Sequence, residues 1–256
     1  MSRRIFIGDV HGHYDGLMLL VAMIAPTRQD TLHFVGDLID RGPKSAQVIE
    51  YVRQNDYPCV LGNHEHLLLN AFPEKDPHIG AFQSWLNSGG QPTLTSYPST
   101  EALLEDVDWL KTLPLYLDLG DIFLVHAGLD PSKAIAQQTQ MDFCWIRDLF
   151  HAQLSAFFSH KRIITGHTIT FTLPDVSPGK IATGPGWLDI DTGAYHPKSG
   201  WLTALDIDHG LVYQANTLTG AKRMATLEDA SVEIDPAAVR PRKRRYVSPH
   251  QNLQPL

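Results

Sequence analysis

Three times in its first 65 residues the chain repeats one construction: a short apolar run, a glycine, then an aspartate or asparagine. Arg4-Ile-Phe-Ile7 leads into Gly8-Asp9-Val10-His11-Gly12. Thr31-Leu-His-Phe-Val35 leads into Gly36-Asp37-Leu38-Ile39-Asp40-Arg41-Gly42. Tyr57-Pro-Cys-Val-Leu61 leads into Gly62-Asn63-His64-Glu65. Asp9, Asp37 and Asn63 stand 28 and 26 residues apart, room for one strand, one helix and two loops. The spacing predicts β-α-β-α-β with a parallel sheet. Its polar loops then emerge side by side at the carboxyl ends of the strands, where α/β sheets bind ligands. The middle loop carries two carboxylates and an arginine just before Pro43, a residue suited to the first turn of a helix. That mixture makes sense if the acids hold cations and the arginine holds a phosphate.

Between these loops, Leu17, Leu20, Val21 and Ile24 form a helical stripe, as do Val48, Ile49 and Val52, and His66 to Ala71 continue a third helix. Residues 73–98 are broken by prolines and glycines and read as a loop-rich insertion around a short helix bearing Phe82, Trp85 and Leu86. Leu103, Leu104, Val107 and Leu110 mark a helix stopped before Pro114. The remainder is strand-rich: 115–119, 122–125, 162–165, 187–190, 201–207 and 211–215, with Asp208-His209-Gly210 as a hairpin turn. Residues 172–186 hold three prolines and three glycines and read as a surface loop. An early βαβ half and a strand-rich later half suggest two sheets face to face with helices outside.

At 256 residues and 43% hydrophobic content, the chain is read as one domain over 1–234 followed by a basic, flexible tail over 235–256. Net charge is −7; the tail carries five basic residues and no acid after Asp235, so the rest carries −12. Such an acidic body disfavours nonspecific binding of nucleic acid. Cys59 and Cys144 suggest no disulfide framework. The apolar runs are too short for a signal peptide or a membrane span, and a cytoplasmic setting is expected.

The three motifs, read with His126-Ala127-Gly128 and Gly166-His167, resemble the metallophosphoesterases, and more closely the phosphoprotein-phosphatase branch with its small bacterial and phage members. The resemblance spans roughly residues 4–215. It implies an α/β fold, a four-layer α/β/β/α sandwich of two mixed sheets with a dinuclear metal site at the carboxyl ends of the strands. It implies that Asp9, His11 and Asp37 hold one divalent ion and that Asp37, Asn63, His126 and His167 hold a second. Mixed oxygen and imidazole donors point to transition metals; Mn²⁺ is the first expectation, with Fe, Zn, Ni and Mg as alternatives. A hydroxide between the ions is expected to attack phosphorus in line. His64 then protonates the leaving oxygen, and Asp40 orients its imidazole. Arg41 and Asn63 hold phosphate with a second arginine, Arg147, for which Arg162 is the alternative. The implied reaction is hydrolysis of a phosphomonoester, on a serine/threonine phosphoprotein or a small phosphoester. The alternative is hydrolysis of diadenosine tetraphosphate or another nucleotide, a branch that tends to carry a small residue where Asp40 stands. A non-catalytic scaffold is the third reading.

Several residues read as bystanders. Glu65 braces its own loop, Asp191-Thr192-Gly193 is a structural turn, and Trp145 and Tyr195 either pack or line a cleft. His13 reads as a helix start and His33 and His66 as structural; His78, His151, His160, His196, His209 and His250 read as surface or loop. The basic tail is a candidate surface for an acidic partner. Because Asp37 serves both ion sites in this scheme, Asp37→Asn is expected to lose bound metal together with activity. Elemental analysis of the purified variant checks this, and two ions per chain would refute a shared ligand.

Overall fold

Alternation along the strands decides the layering of this protein. The computed structural model describes residues 2–240. In chain order the elements are β1 (Arg4–Ile7), α1 (Tyr14–Ile24), β2 (Thr31–Phe34), α2 (Ser45–Gln54), α3 (Asn63–Ala71), α4 (Ile79–Trp85), α5 (Gln91–Ser96) and α6 (Thr100–Leu110). There follow β3 (Tyr116–Asp118), β4 (Ile122–Val125), α7 (Gln140–Trp145), α8 (Asp148–His151), β5 (Arg162–Thr165), β6 (Ile181–Gly184) and β7 (Trp187–Asp189). The last are β8 (Trp201–Asp206), β9 (Leu211–Asn216), β10 (Lys222–Thr226), α9 (Leu227–Ala230) and β11 (Ser231–Glu233).

One sheet has the order β10-β9-β8-β1-β2 and the other β11-β6-β7-β5-β4-β3. Both are mixed: β1 and β2 run parallel, as do β4, β5 and β7, while β8, β9 and β10 pair antiparallel. Neighbouring residues of a strand face opposite sides. Thus Ile5 and Ile7 join Leu17, Leu20, Val48 and Val107 in a core beneath the helices, whereas Phe6 joins Ile122, Leu124, Ile164 and Leu205 between the sheets. Phe123, Val125 and Ile163 face the other way, onto Phe143 and Phe150 of α7 and α8. The result is the α/β/β/α sandwich, and helix, sheet, sheet and helix each bury an apolar face.

Several details depart from the sequence reading. Tyr57–Leu61 is extended beside β2 but makes only one isolated parallel bridge, Phe34 to Cys59, because Pro58 has no N–H to donate. Residues 172–186 are not wholly surface loop: β6 lies inside them with Ile181 and Ala182 buried, paired to β7 and β11. Its glycines and prolines flank the strand. The insertion holds two helices, α4 and α5, joined by a kinked turn at Leu86–Gly90. The short helices α7 and α8 and the strands β10 and β11 lacked a periodic signal and were not anticipated. The start of the tail is ordered, with a 3₁₀ turn at Pro236–Ala238 and Val239 packed on the second core. Residues 241–256, including Arg242, Lys243, Arg244, Arg245 and His250, lie outside the described residues, and with them most of the tail expectation. No helix is long and apolar enough to cross a membrane among the described residues.

Ile234, just past β11, is 4% exposed in the core behind the second sheet, and its N–H donates to Thr183 O at 3.0 Å. Ile234→Ala is expected to cost about 2–5 kcal/mol, the usual cost of truncating a buried aliphatic side chain. Urea unfolding measures it; a loss near zero would mean that this edge is not part of the cooperative core.

Candidate metal centre and active site

The strand ends deliver the polar residues. Asp9 follows β1, Asp37 follows β2, His126 follows β4, His167 follows β5, and Asn63 opens α3. The loops are stitched together by backbone bonds: Val10 and His11 N–H donate to Asp37 O at 3.1 and 2.9 Å, and Gly166 N–H donates to His126 O at 2.8 Å. Glycines permit the close approach. A Cβ on Gly62 would run into Asp37 and Glu65, and one on Gly166 into the Asp9 carboxylate. Five of the eight described non-glycine residues with positive φ are His11, Asp37, Asp40, Arg41 and His167, so backbone strain concentrates at this edge.

The donor atoms converge in two groups. His126 Nε2 lies 3.4 Å from Asp37 Oδ1 and 3.0 Å from Asn63 Oδ1, and His167 Nδ1 lies 2.6 Å from the same Asn63 oxygen. His11 Nε2 lies 3.6 Å from Asp37 Oδ2 and 4.0 Å from Asp9 Oδ2. Asp9 is tied in by the His167 N–H, 3.0 Å from its Oδ2. Compact potential metal-ligand sets are formed by His11, Asp37 and His64 and by Asp37, His126 and His167.

The chemistry of these atoms fits cations. His126 Nδ1 donates to Val35 O at 2.8 Å and His11 Nδ1 donates to Ile39 O at 2.9 Å. Burial pushes His11, His126 and His167 below the usual imidazole range, so the rings are neutral and each Nε2 of His11 and His126 is a lone pair. The His126 lone pair then faces the Asn63 oxygen and the Asp37 carboxylate, acceptor against acceptor. Either tautomer of His167 leaves a mismatch too, since its buried Nε2 has no hydrogen-bond partner. Burial, then Asp191 and Asp37, push the Asp9 carboxyl well up. Divalent cations would resolve all of these conflicts. Arg41 Nη1 donates to His11 Nε2 at 2.6 Å, so an ion on that nitrogen and this hydrogen bond exclude each other. The guanidinium also stacks 4.0 Å over the Tyr195 ring, giving that residue a place in the cleft.

His64, a member of the first of these metal-ligand sets, is also tied to Asp40. Its backbone N–H donates to Asp37 Oδ1 at 2.9 Å, while its ring Nδ1 meets Asp40 Oδ2 at 2.6 Å. Arg147, between α7 and α8, reaches the same edge and donates through Nη1 to His167 O at 2.7 Å. Arg162 opens β5 with its side chain exposed.

Other residues turn out differently from their reading. Glu65 braces more than its own loop: it accepts the N–H groups of Gly62, Asp37, Leu38 and Ile39 at 2.8–3.3 Å. Burial pushes its carboxyl up to about 8 against those donors. Asp191 does form a turn, accepting the Gly193 N–H at 3.0 Å, yet it is also buried within the field of Asp9 and Asp37. The signal for it was present, because an apolar strand runs into Asp191 as one runs into Asp9. His151 is buried rather than superficial, with Nε2 3.0 Å from Asp189 Oδ2. Trp145 Nε1 donates to His66 Nδ1 at 3.0 Å, and its ring lies 6.3 Å from that of His167.

The family model of calcineurin-like phosphoesterases matches residues 2–186. The symmetrical bis(5'-nucleosyl)-tetraphosphatase of Neisseria meningitidis is 33% identical over 135 residues, 51% of this chain and 45% of that protein. The chain thus spans about half the length of the curated relatives it matches. A crystal structure of a candidate diadenosine tetraphosphatase superposes with a TM-score of 0.60 at 19% identity, covering 88% of this chain and 93% of the other. A protein serine/threonine phosphatase of Saccharomyces cerevisiae superposes with a TM-score of 0.55 at 16% identity, covering 82% and 74%. At these identities the superpositions establish a shared fold.

Glu65→Gln keeps the size of the side chain but replaces one acceptor oxygen by an NH₂ group facing two N–H donors. It is expected to destabilise the protein by about 1–3 kcal/mol, the cost of leaving buried polar groups unpaired, and to weaken Mn²⁺ binding through the misplaced Asp37 loop. Urea unfolding and calorimetric titration of Mn²⁺ check the two effects.

Proposed function

The chain belongs to the calcineurin-like phosphoesterases, a family of metal-dependent hydrolases, and from that membership we propose that it hydrolyses a bis(5'-nucleosyl) tetraphosphate or a related nucleotide. The observation that carries this substrate is the name shared by several curated relatives, symmetrical bis(5'-nucleosyl)-tetraphosphatase, at 32–37% identity. The phosphoprotein substrate expected from the motifs has weaker support. One observation favours it as a second reading, the buried Asp40–His64 pair.

In this proposal Asp9, His11 and Asp37 hold one divalent ion, and Asp37, Asn63, His126 and His167 hold the other. Bound divalent ions supply Lewis-acid polarisation of phosphoryl oxygens and a nucleophilic water near neutral pH. The protein contributes the rest. Arg147 and Arg41 neutralise charge on the non-reacting oxygens, Arg41 after releasing His11 Nε2. One P–O bond to water forms, one to the leaving oxygen breaks, and the water's proton passes to the leaving oxygen or to solvent. His64, with Nδ1–H fixed by Asp40, is the group that carries this proton to a leaving oxygen that needs it.

The need differs between the two substrates. A nucleoside diphosphate leaves as a stable anion, whereas serine leaves as an alkoxide of very high pKa. Under the leading reading, the Mn²⁺-loaded enzyme turns over bis(5'-adenosyl) tetraphosphate with kcat/KM at least ~10-fold above a phosphoserine peptide. The reverse order would replace it with the second reading. His64→Asn is expected to cost ~10²–10⁴-fold on the peptide and far less on the tetraphosphate or on p-nitrophenyl phosphate, with metal content unchanged. Single-turnover kinetics keep slow product release from masking the difference, and equal losses on all three substrates would remove His64 from the role of proton donor.

A further inference from the structure

We propose that Trp85 and Thr93, both in the insertion, are positioning residues that set Asp40, and through it His64, for proton delivery to a poor leaving group. The inference rests on His64 being the proton donor described above. Asp40 is fully buried and sits at φ +72°, in the left-handed region that non-glycine residues seldom adopt and that aspartate tolerates better than most. Three donors converge on its carboxylate. Trp85 Nε1 bridges both oxygens at 3.0 and 3.1 Å, Thr93 Oγ1 donates to Oδ1 at 2.8 Å, and His64 Nδ1 donates to Oδ2 at 2.6 Å. Thr93 Oγ1 also accepts the Asp40 N–H at 2.9 Å and lies 3.0 Å from Ser45 Oγ. With the indole across one edge and the threonine on Oδ1, the carboxylate cannot turn away from the imidazole. His64 is thereby held as the Nδ1–H tautomer, with Nε2 as the nitrogen that exchanges a proton.

The insertion is shaped for this contact. Trp85 ends α4, Thr93 lies in α5, and the kinked turn between them doubles the chain back so that both reach one carboxylate. Gly89, at φ +110°, accepts the Arg41 N–H through its carbonyl at 2.9 Å, and a Cβ there would stand 2.9 Å from Arg41 Cγ. A Cβ on Gly90 would stand 2.5 Å from the Trp85 indole. Trp85 also packs on Phe72 and Phe82, so part of its role is core packing. Packing alone would lower stability and affect all substrates alike. Positioning instead predicts a loss that grows with the leaving group's need for a proton.

The test compares wild type, Trp85→Phe, Thr93→Val, Thr93→Ser, Asp40→Asn and His64→Asn as Mn²⁺-loaded enzymes on phosphomonoesters of graded leaving-group pKa. Metal content and melting temperature are measured for each. Trp85→Phe and Thr93→Val are expected to lose about 10-fold in kcat on the alkyl ester, a part of the whole general-acid effect, with KM and p-nitrophenyl phosphate turnover retained. Thr93→Ser is expected to restore the loss. A second readout uses the metal-free protein: the His64 Nδ1–H proton, far downfield in wild type because its hydrogen bond is short, moves upfield or broadens in Trp85→Phe and Thr93→Val. If Trp85→Phe does not fold, Thr93→Val with its serine rescue decides. Should His64→Asn show the graded loss while neither supporting variant does, the positioning inference fails alone. Should His64→Asn lose all substrates equally, the proton-donor reading fails and the inference falls with it. An unchanged Nδ1–H resonance in both supporting variants would overturn the positioning on its own.

Discussion

One buried carboxylate organises the catalytic edge. Glu65 projects from the first turn of α3 and accepts four backbone N–H groups, one from Gly62 and three from the loop Asp37–Ile39. Each of those donors would be unsatisfied without it, at a cost of about 1–3 kcal/mol per group. The loop so held presents the Asp37 carbonyl to the N–H groups of Val10 and His11, and the Gly42 N–H returns to His11 O. The segments bearing Asp9, Asp37 and Asn63 are therefore one hydrogen-bonded unit. The Asp37 side chain can sit between the histidines because its backbone has no freedom to move away.

That unit is strained and crowded, and the surrounding sandwich sustains it. Non-glycine residues in the left-handed region cost of order 1–3 kcal/mol each, and this edge contains His11, Asp37, Asp40, Arg41 and His167 in that region. It also packs neutral imidazoles and carboxylates lone pair against lone pair. Neither condition persists unless rigid elements impose it. Three apolar layers do so here, one between the sheets and one outside each, and the parallel strands β1 and β2 of one sheet and β4, β5 and β7 of the other open their carboxyl ends at this edge. A protein that merely needed this fold would have little reason to retain such an edge; a protein that binds cations gains by it.

The chemistry of the leaving group separates the two substrate readings. In the proposed mechanism the cations and the two arginines serve an anhydride and an ester equally, so they do not discriminate. The Asp40–His64 pair does, because an orienting carboxylate on an imidazole matters in proportion to the basicity of the leaving oxygen. The relatives' shared name and this pair thus pull in different directions.

Much of this edge was legible in the sequence because its information is local. A glycine followed by Asp or Asn after each apolar run marks a strand end, and steps of 28 and 26 residues suit parallel crossovers, so Asp9, Asp37 and Asn63 stand out in the chain itself, while His126 and His167 are singled out through the resemblance of their motifs to the metallophosphoesterases. The two-sheet architecture followed from the change of pattern after Pro114. What tertiary structure alone decided is non-local. Trp85 reads as one more core aromatic, Thr93 as a helix residue and Asp191 as a turn former. Only folding brings the indole and the hydroxyl onto Asp40, separated from it by 45 and 53 residues, and sets Asp191 in the field of Asp9. His151 reads as superficial until the helix that carries it closes over Asp189. The strands β10 and β11 form because a sheet edge offers them partners, and their own sequence carries too little apolar alternation to announce it. Local patterns encode where the backbone turns; which side chain answers which is settled by packing across the sheets.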